Sequence, residues 1–454
     1  MGKSKDLSLP DGAEIAVIGG GPAGAFYSIY ALKLAKDLGK KINLRLFDRK
    51  TFSNQGPPGC NMCAGVISET MVQHLAIDGI NIPPSVVQRS IGAYCFHTPD
   101  GRVYIKSPRL RQRGIATTYR GGGPKGSGGE NILSLDEFML QKAEEEGAVI
   151  ERTVIDEIKL NGDRPTIYSS KKPLMEPDLL VGAFGVNART VEKFRDLDFG
   201  YVPPGTIRCM QTEMGLGKEW VNEHFGDAIH VFLLNMPGVK FAAITPKSDY
   251  ATISILGKNI NKDTVKAFVA HPVLRKMLPE GWELPDKFCH CFPKITLSPS
   301  QKPFTDRIVI IGDAASTRLY KDGIGSAYIT SKSAAYTTML YGVSEKDFLE
   351  HYYPTCKGIN KDNMLGKFLF TVNDYITNSP LLSKGYFRTV RREQENMKDS
   401  TPEEALHSAI LWDMFTGGRN YTEIFYSAIS PRSQLSLIKG ILGELWNRYI
   451  TSRG

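Results

Sequence analysis

The sequence predicts a mixed α/β fold. It has a unit of parallel strands crossed by helices, interleaved with an antiparallel-sheet unit and followed by a helical C-terminal region. Three observations carry this. EIAVIGGGPAGAFYSIYALKLAKDLGKKINLRLFD, from Glu14 to Asp48, reads as strand, glycine turn, helix and second strand. Further apolar runs end in glycine-containing turns at DLLVGAFG and RIVIIGDAA. Between these runs, CFHTPDGRVYIKS looks like a hairpin turning on Pro-Asp-Gly, and ATISILGKN alternates as a half-buried strand does.

The first unit is the most specific. Ile15–Ile18 form a short apolar run, as a buried parallel strand would, and Gly19-x-Gly21-x-x-Gly24 follows at once. Gly19 permits the sharp turn, Gly21 lets a pyrophosphate approach the backbone, and Gly24 allows close helix-to-strand packing. Pro22 and Ala23 open a helix whose N-terminus faces the phosphates. Asp48, at the end of the second strand, can accept both hydroxyls of an adenosine ribose, with Arg49 beside it. Asp48 stands farther from the glycines than the usual ~20 residues, and Lys36–Lys41 absorb the excess as a longer helix end and loop. This is a Rossmann-type dinucleotide site.

The segment Asp306–Ala335 has a strand, Gly312-Asp313-Ala-Ala, Gly323-Ile324-Gly325 and a small-residue helix. It resembles the second flavin fingerprint of the p-hydroxybenzoate hydroxylase-like FAD superfamily. The resemblance implies that Gly312 and Asp313 contact the ribityl chain or pyrophosphate. It also implies that Gly323, Ile324 and Gly325 approach the flavin ring, with helix N–H groups near its N1–O2 edge. The stretch Asp178–Thr190 resembles the family's middle motif, with Ala183 and Gly185 at the cofactor and Phe184 where the motif carries an acid. LSLDEFMLQKAEEEGAVIERTVIDEI resembles the helix-then-strand segment that places Thr153 and Val154 beside the adenine. Ile132 occupies the family's usual arginine position, and Arg120 is the candidate to replace it. These motifs span residues 15–335.

Within the superfamily the chain resembles the geranylgeranyl reductases in two places. CAGVIS, Cys63–Ser68, is similar to their cysteine-containing loop beside the flavin, which puts Cys63, Ala64 and Gly65 at the ring. PGVKFAAITPK, Pro237–Lys247, is similar to a substrate-sheet strand ending in Pro-Lys, with Phe241 the aromatic that remains. The resemblance implies hydride exchange between flavin N5 and a C=C bond of an isoprenoid or other apolar, lipid-like substrate, with Cys63 as the functional thiol. The cofactor is FAD. A ferredoxin or NAD(P)H is the electron donor, since a single dinucleotide fingerprint is visible. Two alternatives stay open: a flavin monooxygenase or halogenase, and an FAD-carrying electron-transfer subunit.

The domains follow. Residues 1–90, 145–200 and 290–345 form a discontinuous FAD domain, 91–144 and 201–289 a substrate-binding sheet domain, and 346–454 a helical C-terminal region. RGGGPKGSGGE, Arg120–Glu130, has six glycines and reads as a mobile loop, either a lid or a plain insertion.

GPPGCNMCAGVIS raises a further question, because Cys60 and Cys63 form a CxxC. The chemistry allows a flavin-side thiol, a Cys60–Cys63 dithiol, a zinc or iron–sulfur site completed by Cys289 and Cys291 of FCHCF, or inert packing. The flavin-side thiol is the leading reading and no metal is assigned. Seven cysteines in a chain of 454 residues fit a reducing compartment.

Composition sets outer bounds. The chain is 41% hydrophobic, enough for a large core, and its net charge of +8 suits an anionic cofactor or membrane surface. No zinc-finger spacing or basic helix speaks for nucleic acid. The polar MGKSKDLSLPDG lacks an apolar signal core, and no run approaches the ~18 apolar residues of a membrane span. The expected location is cytoplasmic, with peripheral contact on the inner membrane face as a variant. That contact would come from the tail helix, where Leu435, Ile438, Leu442, Leu445, Trp446 and Tyr449 share one stripe and Arg432, Lys439, Arg448 and Arg453 lie elsewhere. The pattern favours packing on the protein itself or on a second copy, making a homo-oligomer.

Overall fold

A computed structural model describes residues 7–61, 63–107, 115–125, 132–397 and 405–451. Its first layer is a six-stranded sheet in the spatial order 304–305, 308–310, 179–182, 13–18, 42–47, 149–151. Every neighbouring pair is parallel except the outermost, where Phe304–Thr305 runs antiparallel to Ile308–Ile310. Ile15, Ala16 and Val17 are wholly buried, as a strand covered on both faces requires. Each such aliphatic contributes about 1.5–3 kcal/mol.

The helix Pro22–Asp37 crosses one face of this sheet. It is buried from Ala23 to Ala31 because it lies between the sheet and the helices Leu135–Glu146 and Gly323–Leu340. Its run of small residues makes that position accessible. The other face carries a three-stranded sheet, Glu157–Asn161, Arg164–Ser169 and Lys172–Met175, over Phe184, Phe194 and Ile158.

The second unit is an eight-stranded sheet. Its main path runs 290–291, 206–215, 250–257, 239–246, 228–232, 93–98, 101–106. The hairpin around Pro99-Asp100-Gly101 forms as expected, with Cys95 paired to Tyr104 and Phe96 to Val103. The ATISILG strand pairs on both sides. One face packs on Val265 and Phe268 of the helix Lys262–Ala270. The other packs on Tyr386, Phe387, Leu411 and Trp412 of the C-terminal helices.

The structure moves two boundaries. The helix Leu135–Glu146, expected in the second unit, buries Leu135, Phe138 and Met139 in the first core. His290–Cys291 and Lys294–Thr296, expected in the first unit, pair with the strand Thr206–Gly215 of the second.

Two packing expectations also change. The glycine-rich stretch is not a mobile loop throughout. Gly121–Pro124 are buried, Gly56 donates to Gly123 O (2.9 Å) and Gly122 donates to Asn54 O (3.0 Å). A Cβ at Gly122 would lie 2.1 Å from Ser53 O, so backbone meets backbone here and only glycine fits. Residues 126–130, the rest of that stretch, lie outside the described residues. The tail stripe, expected to pack on the protein itself or on a second copy, does not pack on its own chain. The helix Pro431–Thr451 packs on Pro380–Glu395 while Leu435, Ile438, Leu442, Leu445, Trp446 and Tyr449 are exposed. Among the described residues, no helix is long and apolar enough to cross a membrane.

Gly122→Ala is expected to cost about 1–3 kcal/mol through this overpacking. It should also speed the reaction of Cys60 and Cys63 with a thiol reagent, because the loop that carries them is parted from Gly121–Gly123. Chemical denaturation and timed thiol labelling read the two effects.

Candidate functional site

The glycine cradle forms at the carboxyl end of the first strand. Gly19 has φ +115°, and a Cβ there would lie 2.4 Å from Ala183 O. A Cβ on Gly24 would lie 1.9 Å from Gly19 O, so the helix sits directly on the turn. Gly21 is the N-cap of the helix and Pro22 its first residue, and no side chain caps that end. The helix start thus keeps its N–H groups for a ligand, as a phosphate site requires. Asp48 accepts from Gly20 N (2.6 Å) and Lys50 N (2.8 Å), holding the acid against the cradle. Arg49 is exposed.

Arg120 and Asp136 are buried together, with Nε 2.7 Å from Oδ1. Asn61 Nδ2 donates to the other Asp136 oxygen (2.6 Å), and Lys50 Nζ donates to Asn61 Oδ1 (2.9 Å) and Cys60 O (2.8 Å). Burial lowers the pKa of Arg120. Asp136 and the Cys63 and Cys60 thiols hold its pKa well above the usual range. Breaking such a pair costs about 3–5 kcal/mol, because one charge is left uncompensated. Arg120, the expected replacement for the family's arginine, is thus buried against Asp136, within electrostatic reach of Cys63 and Asp313. Lys50, Asn61 and Asp136 were missed, although Asn61 lies inside the quoted cysteine stretch.

Cys63 stands in this neighbourhood, half-buried, its Sγ accepting from Gly65 N at 3.4 Å. Gly65 (φ +77°) lies against the backbone of Thr118, whose N donates to Gly65 O (2.7 Å). The late cysteine pair approaches the early one. Burial pushes the Cys291 thiol far up, and Cys60, Cys209 and Cys289 push it further. No three of Cys60, Cys63, Cys289 and Cys291 gather their sulfurs to within 4.8 Å, so these four do not form a metal site as they stand.

Ala183 and Gly185 (φ +62°) flank the middle turn, and Ala183 N donates to Ile18 O (2.8 Å). Phe184 turns away into the apolar layer and packs on Phe194, ring centres 4.6 Å apart, which explains how this turn dispenses with an acid. Val154 is exposed past the edge strand, beside Thr153, whose Oγ1 lies 3.1 Å from Ser169 Oγ.

The third motif closes the site. Gly312 (φ +65°) touches Ala23 and donates to Thr330 Oγ1 (3.0 Å). Asp313 is half-buried; desolvation raises its pKa while Thr317 and then Arg120 draw it down. The helix Gly323–Leu340 begins with Gly323, Ile324 and Gly325, but its first turn is not open as expected. Asp322, in a left-handed conformation (φ 52°), accepts from Gly325 N at 3.1 Å and pairs with Arg318 at 2.7 Å. The sequence carried this as an Asp just before Gly-x-Gly, an N-cap signal.

Lys321 beside it is buried. Its Nζ donates to Asp413 O (2.7 Å) and Arg419 O (2.9 Å) and lies 4.2 Å from the Tyr421 ring centre. Burial, with Arg318 adding to it, pushes its pKa down to about 7. A wall of aromatic rings continues from this turn. Tyr320 meets Phe370 (4.9 Å) and Phe241 (6.4 Å), and Phe241 meets Phe415 (5.7 Å).

Solved structures share this architecture. A flavoprotein/dehydrogenase from Cytophaga hutchinsonii matches with TM-score 0.60 at 15% identity, over 96% of this chain and 100% of that one. The flavin-dependent halogenase CmlS matches at 0.58 and 15%, over 97% and 78%. Halogenase PltM, solved with phloroglucinol and FAD, matches at 0.58 and 11%, over 97% and 92%. The fold is therefore the one these flavoproteins and flavin-dependent halogenases share, and the PltM structure holds FAD.

In sequence, the chain is similar to chloroplastic geranylgeranyl diphosphate reductase of Arabidopsis thaliana. Identity is 24% over 343 residues, 70% of this chain and 63% of that protein, so the chain spans under two thirds of the relative's length. No family model matches.

Lys321 gives a pH signature. Its folded pKa lies below the unfolded ~10.4, so between pH 7 and 10 the unfolded chain binds the extra proton and stability rises with pH. Lys321→Met is expected to flatten that part of the profile, measured as unfolding free energy against pH.

Proposed function

We propose that the chain binds FAD and exchanges hydride with a carbon–carbon double bond of an isoprenoid or similar apolar substrate. The observation that carries the finer reading is the aromatic wall of Phe241, Tyr320, Phe370 and Phe415 next to the Gly323 turn. These rings offer an unsaturated hydrocarbon an apolar surface, and Lys240, paired with Asp374 at 2.6 Å, lies over Tyr320 and Phe370 as the charged group at its border. The geranylgeranyl diphosphate reductase relative supports the same class.

The residues fit the cofactor. Gly19, Gly21, Pro22, Ala23 and Gly24, with the uncapped helix start, would hold the pyrophosphate. Asp48 and Arg49 would hold the ribose, with Val154 and Thr153 near the adenine. Ala183, Gly185, Gly312 and Asp313 would line the middle of the cofactor, and Gly323, Ile324 and Gly325 the ring. Bound FAD supplies two-electron hydride chemistry. The chain's part is orientation, exclusion of water and proton handling. Arg120 places a positive charge beside Cys63, and Cys63 Sγ is the group we assign to hold a proton at the site. A ferredoxin or NAD(P)H supplies electrons.

A second reading, a flavin-dependent halogenase or monooxygenase, draws on the fold shared with CmlS and PltM. An FAD-carrying electron-transfer subunit is the third.

The exposed tail stripe supports a peripheral membrane position. Leu435, Ile438, Leu442 and Trp446 face solvent, and Tyr426, Ile429, Phe368 and Tyr375 on the preceding helices are exposed as well. Arg432 and Lys439 are exposed on the same helix, a composition suited to an anionic lipid surface.

Purified protein is expected to carry FAD absorbance and, once reduced with dithionite, to be reoxidised anaerobically by a prenyl lipid with loss of a double bond. Cys63→Ser should keep the bound flavin and lower turnover about 10²-fold or more, the scale of a lost proton donor. A protein that binds no flavin refutes the cofactor assignment, and halogenated or hydroxylated product selects the second reading.

Co-sedimentation with anionic vesicles tests the tail. Leu442→Ser with Trp446→Ser should release the protein to the supernatant while the flavin spectrum stays unchanged.

A further inference from the structure

The second sheet carries a thiol–imidazole cluster that the flavin site does not use. Cys95 and His97 stand two apart on the strand Ala93–Thr98, so their side chains leave the same face. His230 lies opposite Cys95 on the parallel neighbour Ala228–Phe232. All three are buried, and their sulfur and ring nitrogens lie within 4.8 Å of one another. Among the described residues this is the one such group of His, Cys, Asp or Glu.

Hydrogen bonding orients the donors inward. His230 Nε2 lies 3.2 Å from Phe225 O, which can only accept, so Nε2 bears the proton and Nδ1 keeps its lone pair. Nδ1 then accepts a hydrogen bond from His97 Nε2–H at 2.9 Å. The ring of His97 is fixed by stacking on Phe232, centres 4.4 Å apart. A backbone carbonyl behind a ligating imidazole is the usual arrangement around bound metals.

We propose that Cys95, His97 and His230 form a structural site for a thiophilic divalent cation such as zinc. Tetrahedral Zn–N bonds of ~2.0–2.1 Å separate two nitrogens by roughly 3.3 Å, so the His97–His230 pair opens by about 0.4 Å to admit the ion. Binding converts the Cys95 thiol to thiolate, and one proton leaves to solvent. The His97 proton moves from Nε2 to Nδ1, with no net release. Both imidazoles are already neutral, since burial pushes His97 to about 3 and His230 to about 4. Because binding releases the Cys95 proton, affinity rises with pH. The charged groups that act here are Arg102, exposed on the hairpin partner strand and drawing the Cys95 pKa down, and Asp227, which accepts from Tyr104 Oη (2.8 Å) opposite Cys95. The ion would join the parallel strand pair to the end of the helix Lys218–His224 through His230 and Phe225.

The test adds Co²⁺ to the full-length protein after chelator treatment and reads the near-ultraviolet thiolate-to-cobalt band. The expected result is one equivalent bound, a band that Zn²⁺ displaces, and a higher melting temperature with Zn²⁺. The band should survive in Cys60→Ser/Cys63→Ser and vanish in Cys95→Ser. Substoichiometric uptake by the wild-type protein, or a band that persists in Cys95→Ser, overturns the proposal. His97→Gln is the second variant should Cys95→Ser not fold. It should keep the thiol but lose stoichiometric binding, and unchanged binding refutes the site.

Discussion

The buried pairing of Arg120 with Asp136 is the interaction on which the rest of the site depends. Asp136 belongs to a helix that packs on the first core, and Arg120 to the segment after the strand Ile115–Thr118, which pairs with Val87–Ile91. Their contact brings the glycine run beside the cysteine loop. Asn61 is then held where it meets Gly21, and Lys50 ties the loop back to Asp48. Two charges would not be sunk so deep without this full set of partners. The knot therefore fixes the loop that carries Cys63, and with it the distance between thiol and glycine cradle.

Much of this was legible because backbone constraint writes itself in glycine. A strand, a turn of three spaced glycines and an acid at the next strand's end have few other meanings, and the structure forms that unit as read. The GDAA segment likewise follows a strand of the same sheet, and the Gly-x-Gly segment opens the helix Gly323–Leu340 that packs on Pro22–Asp37. Other features were hidden because sequence does not show what a residue faces. Phe184 in place of an acid looked like a defect, yet it fills the layer against Phe194. Six glycines looked like slack, yet Gly121–Gly123 are the part packed hardest. Asn61 and Lys50 carry no spacing signal, since their partners lie far away along the chain. The tail stripe had the right period and gave no clue to its neighbour, because an apolar helix face is the same sequence whether covered or exposed.

The second sheet shows a division of labour between its faces. On one side Tyr94, Phe96 and Phe241 meet the C-terminal helices and form the aromatic wall. The opposite side holds Phe232, Phe268 and the Cys95–His97–His230 group. Strand alternation alone separates an apolar face from a polar cluster by the thickness of one sheet.

The turn at Asp322 carries a last consequence. Gly417, between two tail helices, lies so close that a Cβ there would sit 2.4 Å from the Asp322 carboxyl carbon, and Arg318 donates to Gly417 O (3.1 Å). The tail is thus bolted to the residue that precedes the flavin-side glycines. Anything that binds those glycines in the folded chain also draws on the folding equilibrium of the tail, by about 2.7 kcal/mol at a hundredfold excess over Kd. Docking of the tail at Gly417 and binding at the flavin-side glycines are thereby coupled through Asp322.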